Sequence, residues 1–90
     1  MTVQYAAAMV ILEALAAYPC AARIDALRDG LASVDVVAGS RRFSIHCCYE
    51  ETVGVLEAGP ERVIPEFRFD DPDFPAALLA FLFPGGAPCR

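Results

Sequence analysis

The chain has 90 residues, with seven arginines and no lysine set against twelve acidic residues, for a formal net charge of −5. The lack of lysine removes Schiff-base chemistry and a phosphate-cradling lysine, and the acidic balance works against nucleic-acid binding. A chain of this size makes one domain with a limited core, yet 57% of its residues are apolar, more than the roughly 45–50% usual for soluble domains, so part of that surface is expected to cover an interface.

Val3 to Tyr18 reads as the first helix, with Thr2 as its cap and Pro19 as its stop. Its only strongly polar side chains are Gln4 and Glu13, so apolar residues sweep most of its circumference, leaving a narrow strip of Thr2, Ala6, Met9, Glu13 and Ala16. A helix apolar nearly all round is buried by its own sheet or shared with another chain. Tyr5, Val10 and Leu12 are the residues expected to carry self-association, with a homodimer as the simplest arrangement. The run lacks a positive leader and a small-x-small cleavage site, and about 16 residues fall short of the roughly 20 that cross a bilayer. A cytoplasmic location without membrane attachment is therefore expected.

Pro19 to Asp29 places Ile24 and Leu27 on one helical face with Leu31 following, and Gly30 reads as a helix stop, which predicts a short second helix. Ser33 to Ala38 reads as a strand and Ala38-Gly39-Ser40 as a hairpin turn. Arg41 to Tyr49 is the clearest strand, with Phe43, Ile45, Cys47 and Tyr49 on one face and Arg42, Ser44, His46 and Cys48 on the other. Glu50-Glu51 makes the next turn. Thr52 to Ala58 then sends Val53 and Val55 one way and Leu56 the other, with Gly54 marking a bulge or a large neighbour.

Arg62 to Asp70 is the last expected strand, with Val63, Phe67 and Phe69 toward the core and Pro65 confining it to an edge. A closing helix begins at Asp73 as N-cap, with Pro75 in its first turn and Phe74, Ala77, Leu78, Phe81 and Leu82 as its buried stripe. The prediction is an α+β domain over residues 1–84: two N-terminal helices, a four-stranded antiparallel meander, and a C-terminal helix on one face of the sheet. Residues 85–90 form a tail.

The charge is uneven. Residues 1–49 carry four acids and four arginines, whereas residues 50–73 carry eight acids against Arg62 and Arg68, a local balance of −6. Glu50, Glu51, Glu61, Asp70 and Asp71 are accordingly the expected contacts to a partner protein with a basic surface. Wet turns do not drive paired carboxylates apart in pKa, so these pairs read as surface charge rather than as an acid and base couple. Cys20, Cys47, Cys48, Cys89 and His46 supply metal-ligand types, but no C-x-x-C spacing occurs and adjacent Cys47 and Cys48 point to opposite faces of a strand. No metal or other cofactor is expected.

Together these features predict a small acidic, non-enzymatic interaction module that self-associates and binds a basic partner, of the inhibitor, immunity, antitoxin or adaptor type. Its alanine- and arginine-rich composition suggests a bacterial or phage gene of high GC content. The alternative is a metal- or thiol-dependent protein using His46, Cys48 and Cys20, with the Cys20 thiol lowered in pKa by a helix N-terminus.

Overall fold

A computed structural model describes residues 2–47, 51–59 and 67–85. The order of elements is α1 (Val3–Leu15), β1 (Ala21–Ala26), β2 (Ala32–Ala38), β3 (Arg41–Cys47), β4 (Thr52–Glu57), β5 (Phe67–Arg68) and α2 (Phe74–Leu82). The strands form one antiparallel sheet in the order β1-β2-β3-β4-β5, so each described strand pairs with its neighbour in sequence. The α+β class and antiparallel meander are as expected. Among the described residues the sheet has five strands rather than four, and one helix precedes it.

The extra strand comes from the segment read as the second helix. Residues 21–26 pair with β2 from Ala21↔Val37 to Ala26↔Ala32. The signals taken for helix boundaries have other uses here: Pro19 lies in the corner leaving α1, while Asp29 (φ 59°) and Gly30 (φ 77°) form consecutive left-handed positions in the hairpin. The hairpin is closed by the Leu27 N–H donating to the Leu31 carbonyl at 2.8 Å. As a helix, this segment would offer a stripe of only Ile24 and Leu27. As a strand it satisfies backbone groups along β2 that would otherwise face outward unpaired.

Strand parity decides which residues are covered. Ala32, Val34, Val36, Phe43, Ile45, Cys47, Val53, Val55 and Phe67 are buried beneath the helices; in β3 and β4 they share the faces that the alternation assigns them, and Phe67 was expected toward the core. Gly54 sits in unbroken register opposite His46, so no bulge forms there. Tyr49, Cys48, Val63 and Pro65 lie outside the described residues, as does the expected tail beyond Gly85.

Thr2 caps α1 as predicted, its hydroxyl oxygen accepting from the Tyr5 N–H at 3.1 Å. The same hydroxyl donates to the Gly30 carbonyl at 2.6 Å and so joins the helix start to the β1–β2 hairpin. A β-carbon at Gly30 would run into the Thr2 side chain, and its positive φ also favours glycine. The helix ends at Leu15, three residues before the predicted end. Residues 16–20 make the corner, where Tyr18 stacks on Phe83 with ring centroids 4.6 Å apart.

Ala7, Ala8, Ile11 and Leu15 form the buried face of α1, and burial of Ile11 and Leu15 contributes roughly 1.5–3 kcal/mol each. From α2, Phe74, Leu78 and Leu82 complete the core, with Phe81 half-buried. Ala77, expected in that stripe, is exposed: its position points past the edge of the core. Asp73 is the N-cap residue but makes no side-chain cap bond. Instead the Asp71 carboxylate accepts from the Asp73 N–H at 2.9 Å.

Arg41 locks the far end of α2 to the sheet. Its guanidinium lies 4.6 Å above the Phe43 ring, donates to the Leu82 carbonyl at 2.7 Å and pairs with Glu57 at 3.1 Å. A cation at a helix C-terminus opposes the negative end of the helix dipole.

Candidate functional site

The outer face of α1 remains open. Val3 is 59% exposed and Val10 46%, with Met9 similarly exposed between them. The narrow strip of Thr2, Ala6, Met9, Glu13 and Ala16 is exposed as well, so roughly half the helix is uncovered and that half is mostly apolar.

On one flank this surface enters a hollow of about 210 Å³ lined by Val3, Ala6, Ala7, Val10, Phe69 and Phe74. Two local features build it. Ala6 and Ala7 are small enough to leave a depression, and the segment Phe69-Asp70-Asp71-Pro72-Asp73-Phe74 brings an aromatic ring in from each of its ends. The three aspartates between those rings keep the connecting turn solvated. The sequence therefore places carboxylates at the rim of an apolar groove.

The acids of this rim are not equivalent. Asp70 receives both arms of the Arg68 guanidinium, at 3.1 and 3.0 Å. This bidentate bond is the largest cause holding its carboxyl below the usual aspartate range, and a hydrogen bond involving Glu51 acts the same way. Asp71 is engaged by the turn described above. Glu51 sits beside the same loop, its carbonyl accepting from the Phe69 N–H at 3.0 Å. Glu51, Asp70, Asp71 and Asp73 against Arg68 leave a net of three negative charges at this end of the molecule. The structure thus brings Glu51, Asp70 and Asp71 together; Glu50 and Glu61 lie outside the described residues.

The three expected self-association residues do not form one patch. Val10 belongs to the groove, whereas Tyr5 and Leu12 are half-buried on the opposite flank of α1. There Tyr5 lines a second hollow, of about 300 Å³, with Thr2, Ala26, Leu27, Gly30 and Leu31. Its walls hold no charged side chain.

The uncovered face of the sheet carries a polar cluster that sequence reasoning missed. Arg23 and Asp25 of β1, Ser33 and Asp35 of β2, and Ser44 and His46 of β3 share that face through the register. Ser44 donates to Asp35 at 3.3 Å and lies 3.0 Å from His46 Nε2, which therefore presents its N–H to the serine oxygen. In serine hydrolases the imidazole stands between carboxylate and serine. Here the serine stands between the other two, so Asp35 orients the hydroxyl and not the base.

Arg23 lies 3.7 Å from Asp25 and 3.8 Å from Asp35. A hydrogen bond with Asp35 is the largest cause raising the Asp25 carboxyl above its ordinary range, and Arg23 only partly opposes it. The missed signal was the β1 alternation itself: once 21–26 is a strand, Arg23 and Asp25 must lie on one face, opposite Asp35 and Ser33 respectively.

Of the residues named for the thiol alternative, Cys20 and His46 stand apart. Cys20 is not at a helix N-terminus; it follows α1, and its thiol donates to the Leu15 carbonyl at 3.7 Å. Burial raises its pKa, which favours the protonated thiol. His46 lies on the opposite face of the sheet, five residues along the ladder, roughly 17 Å by strand rise. Cys48 lies outside the described residues. Among the described residues no group of three or more His, Cys, Asp or Glu is placed to hold a metal ion, and no helix is long and apolar enough to cross a membrane.

Comparison of the chain with protein-family models, with curated proteins and with solved structures gives no match.

Proposed function

We propose that the protein is a non-enzymatic protein-interaction module whose partner inserts an apolar anchor, flanked by basic residues, into the groove between α1 and the Phe69–Phe74 segment. One observation carries this reading: the apolar groove and the acidic loop are the same structural unit, since the two phenylalanines bracketing the aspartates also form the groove wall. An apolar anchor gains free energy by leaving water, at about 25 cal/mol per Å². The carboxylate rim contributes orientation and association rate more than affinity. Asp70 contributes least to the attraction, because Arg68 already neutralises it. Self-association is the second half of the proposed function.

The test is titration with paired synthetic peptides, one carrying leucine or phenylalanine between arginines and one with glutamates in place of the arginines, followed by amide chemical shifts. Binding of the basic peptide should move the amides of Val3, Ala6, Val10, Phe69 and Phe74. Val10→Glu should abolish it, and Asp71→Ser with Asp73→Ser should weaken it and flatten its salt dependence. Equal shifts with both peptides, or none at the groove, would remove the proposal.

A further inference from the structure

β1 ends the sheet, and among the described residues its outer edge has no partner strand. The hydrogen bond from Leu27 N–H to the Leu31 carbonyl fixes the ladder parity. Residues 21, 23 and 25 must therefore face β2, leaving the N–H and carbonyl groups of Ala22, Ile24 and Ala26 pointing outward. None of the other backbone hydrogen bonds among the described residues involves those three. Residues 21–26 contain no proline and no lysine, and their pairing with β2 is unbroken by a bulge; the charges the strand does carry, Arg23 and Asp25, are of opposite sign.

We propose that β1 pairs antiparallel with β1 of a second copy about a two-fold axis at Ile24, joining the two sheets into one. This inference deepens the self-association half of the proposed function and is independent of the groove.

The register follows from charge. Only registers that match the outward residues 22, 24 and 26 with one another can form the ladder. Of these, the one centred on Ile24 sets Ala22 against Ala26 of the second copy and Arg23 against its Asp25, twice by symmetry. A shift of the pairing partner by two residues in one direction sets Arg23 against Arg23, and in the other direction Asp25 against Asp25. Like charges directly opposite destabilise a strand pair and opposite charges stabilise it, so the edge specifies its own register.

Apolar surface supports the same occupant. On the helix side, the edge is flanked by half-buried Ala22, Ile24, Tyr5 and Leu12, and the uncharged hollow of about 300 Å³ opens beside Ala26 and exposed Leu27. With α1 centred near β2, the two copies of α1 would stand roughly 14 Å apart, three strand spacings. Facing Tyr5 and Leu12 side chains can fill that interval. An isologous contact of this kind closes at two chains, so the exposed edge does not propagate into a fibre.

A charge-swap cycle tests it. Arg23→Asp and Asp25→Arg both alter surface side chains, and circular dichroism checks that each variant remains folded. Sedimentation of the wild-type chain should give a dimer, and each variant alone should associate about tenfold more weakly or worse. An equimolar mixture of the two variants should recover the dimer, because each cross-strand pair of positions 23 and 25 then again holds one aspartate opposite one arginine. The amides of Ala22, Ile24 and Ala26 should resist exchange in the dimer and lose protection on dilution. A wild-type monomer with those amides unprotected would overturn both the edge pairing and self-association. A dimer indifferent to both substitutions would overturn the edge pairing alone and leave self-association to another surface.

Discussion

Neighbouring residues of β3 belong to different environments. Ile45 is fully enclosed between the sheet and the helices, while Ser44 and His46, one position to either side, stand in a hydrogen-bonded row on the uncovered face. The covered face is made of side chains that interlock by shape, and its only charged members among β3 and β4 are Arg41 and Glu57 at its margin. The open face is held by polar contacts that water can replace. The comparison teaches that strand parity divides enclosed packing from solvent-exchangeable polar contact, so substitutions one residue apart should differ severalfold in cost.

The sharpest way to break the comparison is Ile45→Ala. It should cost about 3–4 kcal/mol, because the enclosed site cannot collapse onto the missing atoms; urea unfolding checks it. Arg41→Met should come next, at about 2–3 kcal/mol, since it keeps much of the stem packing on Phe43 but strips the guanidinium from the nearly buried Glu57 and from the Leu82 carbonyl. If this variant proves as stable as the wild type, the margin of the covered face is held by packing alone. Ser44→Ala on the open face should cost only about 0.5–1 kcal/mol, the net value of hydrogen bonds that water can replace. A loss equal to that of Ile45→Ala would erase the distinction between the two faces.

The smallest effects are in pH dependence, and they have opposite signs. The Asp70 carboxyl is depressed, so its stabilisation is present above the ordinary aspartate value of about 4 and is lost as pH falls through the folded value. The Asp25 carboxyl is raised, so its contribution is present below about 4 and is lost as pH rises through the folded value. Asp70→Asn should therefore show a deficit that grows with rising pH in the acid range. Asp25→Asn should show a relative gain that grows with rising pH above it. Thermal melts across about pH 3–7 read both; slopes of the same sign for the two variants would contradict the paired-carboxylate arrangement on the open face.

The elements legible in the sequence were those with a single strong periodicity. β3 and β4 alternate cleanly enough that the faces of Phe43, Ile45, Val53, Val55 and Leu56 were all assigned, and Leu56 is 63% exposed as parity requires. The Thr2 cap was equally readable, because its bond to Tyr5 is local. The groove was half legible: Val10 and the aspartates were singled out, but for separate roles, since no local pattern says that residues 10 and 71 meet. Of the open-face cluster, the alternation of β3 puts Ser44 and His46 on one face, but Arg23 and Asp25 join them only once residues 21–26 form a strand.

What the amino-acid order determined by itself is the short-range chemistry: where α1 begins, which residues of β3 and β4 share a face, where the hairpin turns at Gly39, and where negative charge accumulates. Tertiary structure alone decided that residues 21–26 extend, because their gain is a ladder with β2, whose partners lie six to sixteen residues away along the chain. It also decided which half of α1 is covered, since a helix apolar nearly all round carries no internal mark of the side on which its sheet will lie. The physical reason is the same in both cases: local propensities there are weak, and contacts distant in sequence supply the larger free energy.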